Sequence, residues 1–222
     1  MHPRLRRLLP AALSSVLFAA AATIALPAHA ELGDWEGDYV PAKPKRRSDF
    51  VAGLTGGAFL GVSSGYPNDV RKIDDSAYRA STDFAVGNGG LLWFGGTLRD
   101  WFSFGIGTGG GGMTGSGVDA SLFWFGVHVE AFPFFYQGSF GENFGLTTDL
   151  GIGGSTIQKG KDVLADGGAT SFVSAGAFWE PINLWHHVSM GPSLAYAHQF
   201  ALPISTHWVL IAWRTTFYGG PG

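Results

Sequence analysis

Four ionisable side chains on three alternating stretches are the first candidates for chemistry. "LFWFGVHVEA" (122–131) carries His128 and Glu130, "NFGLTTDLGIGG" (143–154) carries Asp149, and "HWVLIAWRTTFY" (207–218) carries Arg214. In an extended chain successive side chains point to opposite faces. Phe123, Phe125, Val127 and Val129 then share one face, while His128 and Glu130 share the other. Leu146, Leu150 and Ile152 likewise oppose Asp149, and Val209, Ile211, Trp213 and Phe217 oppose Arg214. The polar faces are filled by glycine and small residues, with few Lys or Glu. A soluble sandwich would put those faces in water and load them with charge. A transmembrane barrel would turn them inward, where a carboxylate needs a cation or a polar partner. The sequence therefore predicts a lumen cluster of His128, Glu130, Asp149 and Arg214, with Arg214 as the natural partner of Asp149. Such a cluster fills and neutralises the interior or, in a functional reading, sets a selective constriction.

Other residues admit chemistry less well. "GIGTGG" (105–110) fits G-x-G-x-x-G, but a nucleotide site needs a helix next, and more glycine follows. His186 and His187 are adjacent, so on a strand they point apart and cannot share a metal; they read as interfacial histidines at a turn. Ser205 and His207 share one face of the last strand, and His198 lies on the strand before it. Serine beside histidine is a nucleophile with its base, as an outer-leaflet lipid A acylhydrolase would use. No acid stands at a suitable spacing on these strands to orient the base. Lys159, Lys161, Asp162 and Asp166 suit a solvated loop, with lipopolysaccharide phosphate as an alternative contact.

The elements that must position these residues are strands. The chain has 222 residues, of which 35 are glycine, and aromatics make up 14%. Glycine at that level disfavours helices, since each interior position costs about 1 kcal/mol. From residue 49, alternating segments of about ten residues are separated by Gly, Asp, Asn and Pro clusters. Eight strands are expected, near 49–63, 82–98, 101–108, 118–132, 143–154, 170–180, 186–199 and 205–218. Gly87 to Gly90 suggests a bulge in the second, and Pro192 calls for another in the seventh. Long connections are expected at 64–80, 108–117, 158–168 and 200–203, short turns at 99–100 and 181–184, and an intermediate one at 133–142. Aromatics at the short-turn end suggest an interfacial girdle: Trp93, Phe94, Trp101 and Phe102, then Phe132 to Tyr136, then Trp179 and Trp185.

The N-terminus reads as a secretory signal. Arg4, Arg6 and Arg7 precede an apolar run, and Ala28-His29-Ala30 is a cleavage site. Loss of residues 1–30 leaves eleven basic groups against 17 acidic, which gives no support for nucleic-acid binding. There is no cysteine, hence no disulfide and no thiolate metal site. No later stretch supplies about 20 apolar residues for a spanning helix, so entry into a membrane must be by strands. Residues 31–48 read as a periplasmic linker, whose run of Lys43, Lys45, Arg46 and Arg47 has contact with anionic polymer as a second reading. Residues 49–218 are the barrel and 219–222 a short tail.

Together the leader, the alternating strands and "HWVLIAWRTTFY" resemble the small outer-membrane barrels of Gram-negative bacteria, the OmpW/OmpX-like group. The resemblance implies a closed antiparallel transmembrane β-barrel of about eight strands in the outer membrane. It also implies an assembly signal at Trp213, Phe217 and Tyr218, although "GGPG" follows the terminal aromatic. The expected protein is non-enzymatic and needs no cofactor. It has an envelope role or passes small or apolar molecules through a narrow polar lumen, with 64–80 and 157–168 as gates. Its expected partners are lipopolysaccharide, the barrel assembly machinery and small solutes. A lipid-modifying enzyme using Ser205 and His207, and a soluble periplasmic β-domain, are the alternatives.

Overall fold

Alternation over long segments makes long strands, and here they close on themselves. The computed structural model describes Arg47 and residues 49–220 except residue 186. The expected signal peptide, most of the linker, His186 and the last two residues of the tail lie outside the described residues. Eight long strands form the wall: β1 (Phe50–Gly65), β2 (Ala85–Arg99), β3 (Phe102–Gly115), β4 (Val118–Ala131), β5 (Phe144–Lys159), β6 (Thr170–Trp179), β7 (Val188–Ala201) and β8 (Ile204–Tyr218). Each pairs antiparallel with the next, and β8 pairs with β1 from Val51↔Tyr218 to Gly65↔Ile204, which closes the barrel. Among the described residues, short strands Ala80–Ser81, Asp162–Asp166 and Ile182–Leu184 extend the ends, a 3-10 turn (Ser76–Tyr78) lies between β1 and β2, and a short α-helix, α1 (Ser139–Asn143), precedes β5.

One path of paired residues measures the stagger. It runs Ala52, Phe94, Ile106, Val127, Leu150, Val173, His198, His207, and returns to β1 at Val62, ten residues from its start. A stagger of that size over eight strands requires a strongly tilted wall, roughly 35–45°. Every residue on the path points outward. Of the surrounding wall, Phe123 is 64% and Ile152 69% exposed, whereas Glu130 is fully buried. An apolar exterior around a charged interior is the polarity of a membrane barrel, so the sandwich alternative does not hold.

Several expectations change in detail. β2 runs through Gly87–Gly90 without interruption, and the register shift lies between Thr97 and Arg99. Glycine runs carry no side-chain alternation, so the period cannot be read through them. The same reason hid the length of β3, which includes Gly109–Gly112; the expected long loop at 108–117 is a two-residue turn. Ser116 and Gly117 both have positive φ there, as the mirror-image hairpin turn requires. The segment 158–168 is mainly a hairpin extension, and 202–203 is a tight turn, so long connections do not gather cleanly at one end. Pro192 keeps register with Trp213 while the ladder to β6 begins one residue later at Ser193, so no bulge is needed there.

Inside, the barrel is filled in layers. Phe59, Leu122, Trp124, Phe172, Ala197 and Trp208 form the middle. Trp124 and Phe172 stack at 4.3 Å between centroids, and Phe172 meets Trp208 at 5.8 Å. The Phe59 ring lies against Gly89 and Gly111, where a Cβ would collide with it. Toward the end opposite the termini, Met113, Ile157 and Ile204 pack with Ala80 and Ala165 from the connecting segments. Beside them a hydroxyl chain joins Ser63 to Thr206 at 2.7 Å and Thr206 to Ser155 at 3.1 Å.

Candidate functional site

The layer at the terminus end is ionic. β4 and β5 place His128 opposite Asp149, and the period-two rise of β4 puts Glu130 on the same inward face. His128 Nδ1 lies 2.6 Å from Asp149 Oδ1 and Nε2 lies 3.0 Å from Glu130 Oε1. Ionised carboxylates only accept, so an imidazole serving both donates from both nitrogens. Ser174 donates to the other Asp149 oxygen. Arg214 Nη1 donates to Glu130 Oε1 at 2.7 Å, and Nη2 lies 3.1 Å from Glu180 Oε1. The Arg214 guanidinium also donates to Thr216 and rests 3.6 Å above the Phe178 ring. The Trp93 ring packs against His128 at 4.2 Å between centroids.

All four residues expected in the lumen are therefore there, in one network. The expected pairing differs: Asp149 is held by His128 and Ser174, while Arg214 goes to Glu130 and Glu180. Which cation meets which anion across a barrel depends on stagger, and alternation within one strand does not reveal it. Two further members were missed. Glu180 sits just past β6, and its carboxylate accepts from the Tyr218 hydroxyl at 3.1 and 3.2 Å. Arg47, expected in a linker, is buried. It lies 3.4 Å from Glu180, donates to the Glu142 carbonyl at 2.6 Å and covers the Phe132 ring at 3.7 Å. The basic run is the only sequence feature that touches Arg47, and none marks Glu180 as interior.

The aromatic girdle is also partial. Phe94, Tyr136, Trp179 and Trp185 face outward, but Trp93 and Phe132 are interior. At the expected assembly signal, Trp213 and Phe217 face outward and Tyr218 is fully buried in the ion network.

A second polar group lies on the outer wall. His198 and His207 are directly paired across β7 and β8, with rings stacked at 3.9 Å and 11°. Ser205 Oγ is 3.1 Å from Nε2 of both. The Tyr196 hydroxyl is 2.7 Å from Nδ1 of His207. The sequence named the serine and both histidines, and the tyrosine was missed. "GIGTGG" (105–110) is a segment of β3, with no helix following it. Among the described residues, no group of three or more His, Cys, Asp or Glu has metal-site geometry.

No family model and no curated protein matches the chain. Among solved structures it is similar to Neisserial surface protein A, at 9% identity and a TM-score of 0.44, covering 76% of this chain and 96% of that one. It is similar to Ail, the attachment invasion locus protein of Yersinia pestis, at 8% identity and 0.45, over 76% and 99%. It is also similar to the outer membrane protein OprG from Pseudomonas aeruginosa, at 13% identity and 0.40, over 78% and 98%. At these identities the likeness is of fold alone, and the fold rests on the strand pairing above. By its own strand pairing and burial the chain is a closed, eight-stranded antiparallel β-barrel with an apolar outer wall, the architecture expected from the sequence.

Proposed function

We propose that the barrel is a non-conducting element of the outer membrane, with a structural role in the envelope and no catalysis in its interior. The observation that carries this reading is the aromatic layer of Phe59, Trp124, Phe172 and Trp208, which lies between the ion network and the apolar cap. The space left between the first two layers, lined by Thr55, Thr147, His128, Asp149 and Arg214 among others, is about 50 Å³. That admits a few waters and no sugar or amino acid. Charged groups in the base neutralise one another at short range instead of lining an open path. Solute passage would require the aromatic layer to move. The segments expected to act as gates, 64–80 and 157–168, contribute Ala80 and Ala165 to the cap. Lipopolysaccharide and the barrel assembly machinery are the partners this reading implies.

The test is swelling of liposomes containing the full-length protein, in a graded set of sugars and amino acids. Inserted protein without swelling supports the closed barrel. Swelling that falls with solute size would establish a pore and return the passage reading.

A further inference from the structure

We propose that the outer-wall group is an ester-hydrolysing site, with Ser205 as nucleophile and His207 as its general base. A lipid-facing wall is a costly place for polar side chains. On the path of paired residues around this barrel, Phe94, Ile106, Val127, Leu150, Val173 and Val62 are apolar; His198 and His207 interrupt them. The interruption is not a scatter of hydroxyls. Its four polar groups are joined in one ordered chain of hydrogen bonds.

The donors and acceptors along that chain have one self-consistent arrangement for nucleophilic attack. His198 Nε2–H donates to Ser205 Oγ, Ser205 O–H donates to His207 Nε2, and His207 Nδ1–H donates to the Tyr196 oxygen. The free nitrogen of His207 therefore faces the serine, held by a third group on the far side of the ring. Tyr196 occupies the place an acid would take. A neutral phenol steadies the imidazolium less than a carboxylate does, so the expected turnover is slow.

Position names the substrate class. Ser205 and His207 follow the Leu202–Pro203 turn by two and four residues, which places them within roughly 7–13 Å of it along the strand. That is the depth at which a bilayer passes from head group to hydrocarbon, where the ester bonds of its lipids lie. Leu194, Phe200 and Val62 give the surroundings an apolar face for acyl chains. The substrate is an acyl ester of a membrane lipid. In the first step Ser205 gives its proton to His207, and Oγ bonds to the ester carbonyl carbon. The carbon–oxygen bond to the alcohol breaks, and the alcohol leaves with the proton from His207. Water then gives a proton to His207 and bonds to the acyl carbon. Ser205 leaves, recovers its proton, and a fatty acid is released. As Oγ bonds to the carbonyl carbon it gives up the His198 N–H it had accepted, and that donor becomes available to the oxyanion.

The test uses full-length protein in vesicles, treated with a long-chain alkyl fluorophosphonate and mapped by peptide mass. One adduct on Ser205 is expected. Ser205→Ala should abolish it, His207→Phe should slow it by about a hundredfold or more, and Tyr196→Phe should slow it several-fold. Fatty acid release is then measured from phosphatidylethanolamine vesicles and from vesicles containing lipopolysaccharide; release from one and not the other identifies the lipid. Absence of labelling in protein that retains its folded electrophoretic migration overturns the proposal. So does labelling without fatty acid release from either vesicle, or labelling abolished by a chelator, which would assign the histidines to a metal.

Discussion

The barrel holds two clusters made from nearly the same kinds of side chain, one inside the wall and one outside it. Inside, His128 lies between Glu130 and Asp149, and Arg214 lies between Glu130 and Glu180. Outside, His207 and His198 flank Ser205, and among the described residues no carboxylate is hydrogen-bonded to any of them. The inner cluster is charged, crowded and tied to six elements of the fold. The outer one is half-exposed and confined to one hairpin. A polar group inside a closed barrel has neighbours to satisfy it, so its presence is explained by packing. A polar group in the lipid-facing wall has no such explanation, and its order points to use. Removing members of each cluster should therefore separate stability from activity.

The largest effect is expected from Arg214→Met, which removes the guanidinium shared by two buried carboxylates and leaves Glu130 with His128 alone and Glu180 with Arg47 and Tyr218. Loss of one partner of a buried ion pair costs about 3–5 kcal/mol, measurable by urea unfolding in vesicles. A change under 1 kcal/mol would mean that the inner cluster is dispensable, and the contrast would fail. Next is Gly89→Leu, which drives a side chain into Phe59. Overpacking of this kind costs about 1–3 kcal/mol and should lower the unfolding midpoint without opening the lumen to solutes. Ser174→Ala removes one donor to Asp149 and should cost about 1–2 kcal/mol in the same assay. Smallest is Ser205→Ala, expected to stay within about 0.5 kcal/mol of the parent while removing fluorophosphonate labelling. If that substitution instead destabilised the barrel strongly, the outer cluster would be a packing feature like the inner one.

How much of this could be read beforehand follows from what alternation encodes. The inward placement of Glu130, Asp149 and Arg214 needed only the period of two and an apolar opposite face. Their pairing needed the stagger of strands separated by up to 84 residues, and so Arg214 was assigned to the wrong carboxylate. Glu180 and Arg47 lie beyond the periodic segments, where nothing in the pattern marks a side chain as buried. The Ser205–His207 pair was legible from its spacing within one strand. Tyr196 was not, because it reaches His207 diagonally from the neighbouring strand, two residues before His198. Glycine runs hid strand length for the opposite reason, since a residue without a side chain has no face.

The position of Arg214 in β8 has a consequence for how the barrel comes together. Glu130 and Glu180 precede it in the chain by many residues, and Tyr218 arrives only with the same last strand. Until that strand docks against both β7 and β1, the two carboxylates lack their main counter-charge in what will be a low-dielectric interior. Closure of the wall and neutralisation of its contents are thus a single event. A chain that stops short of residue 214 faces an electrostatic penalty as well as an open edge, and the finished barrel carries an internal check on its own completeness.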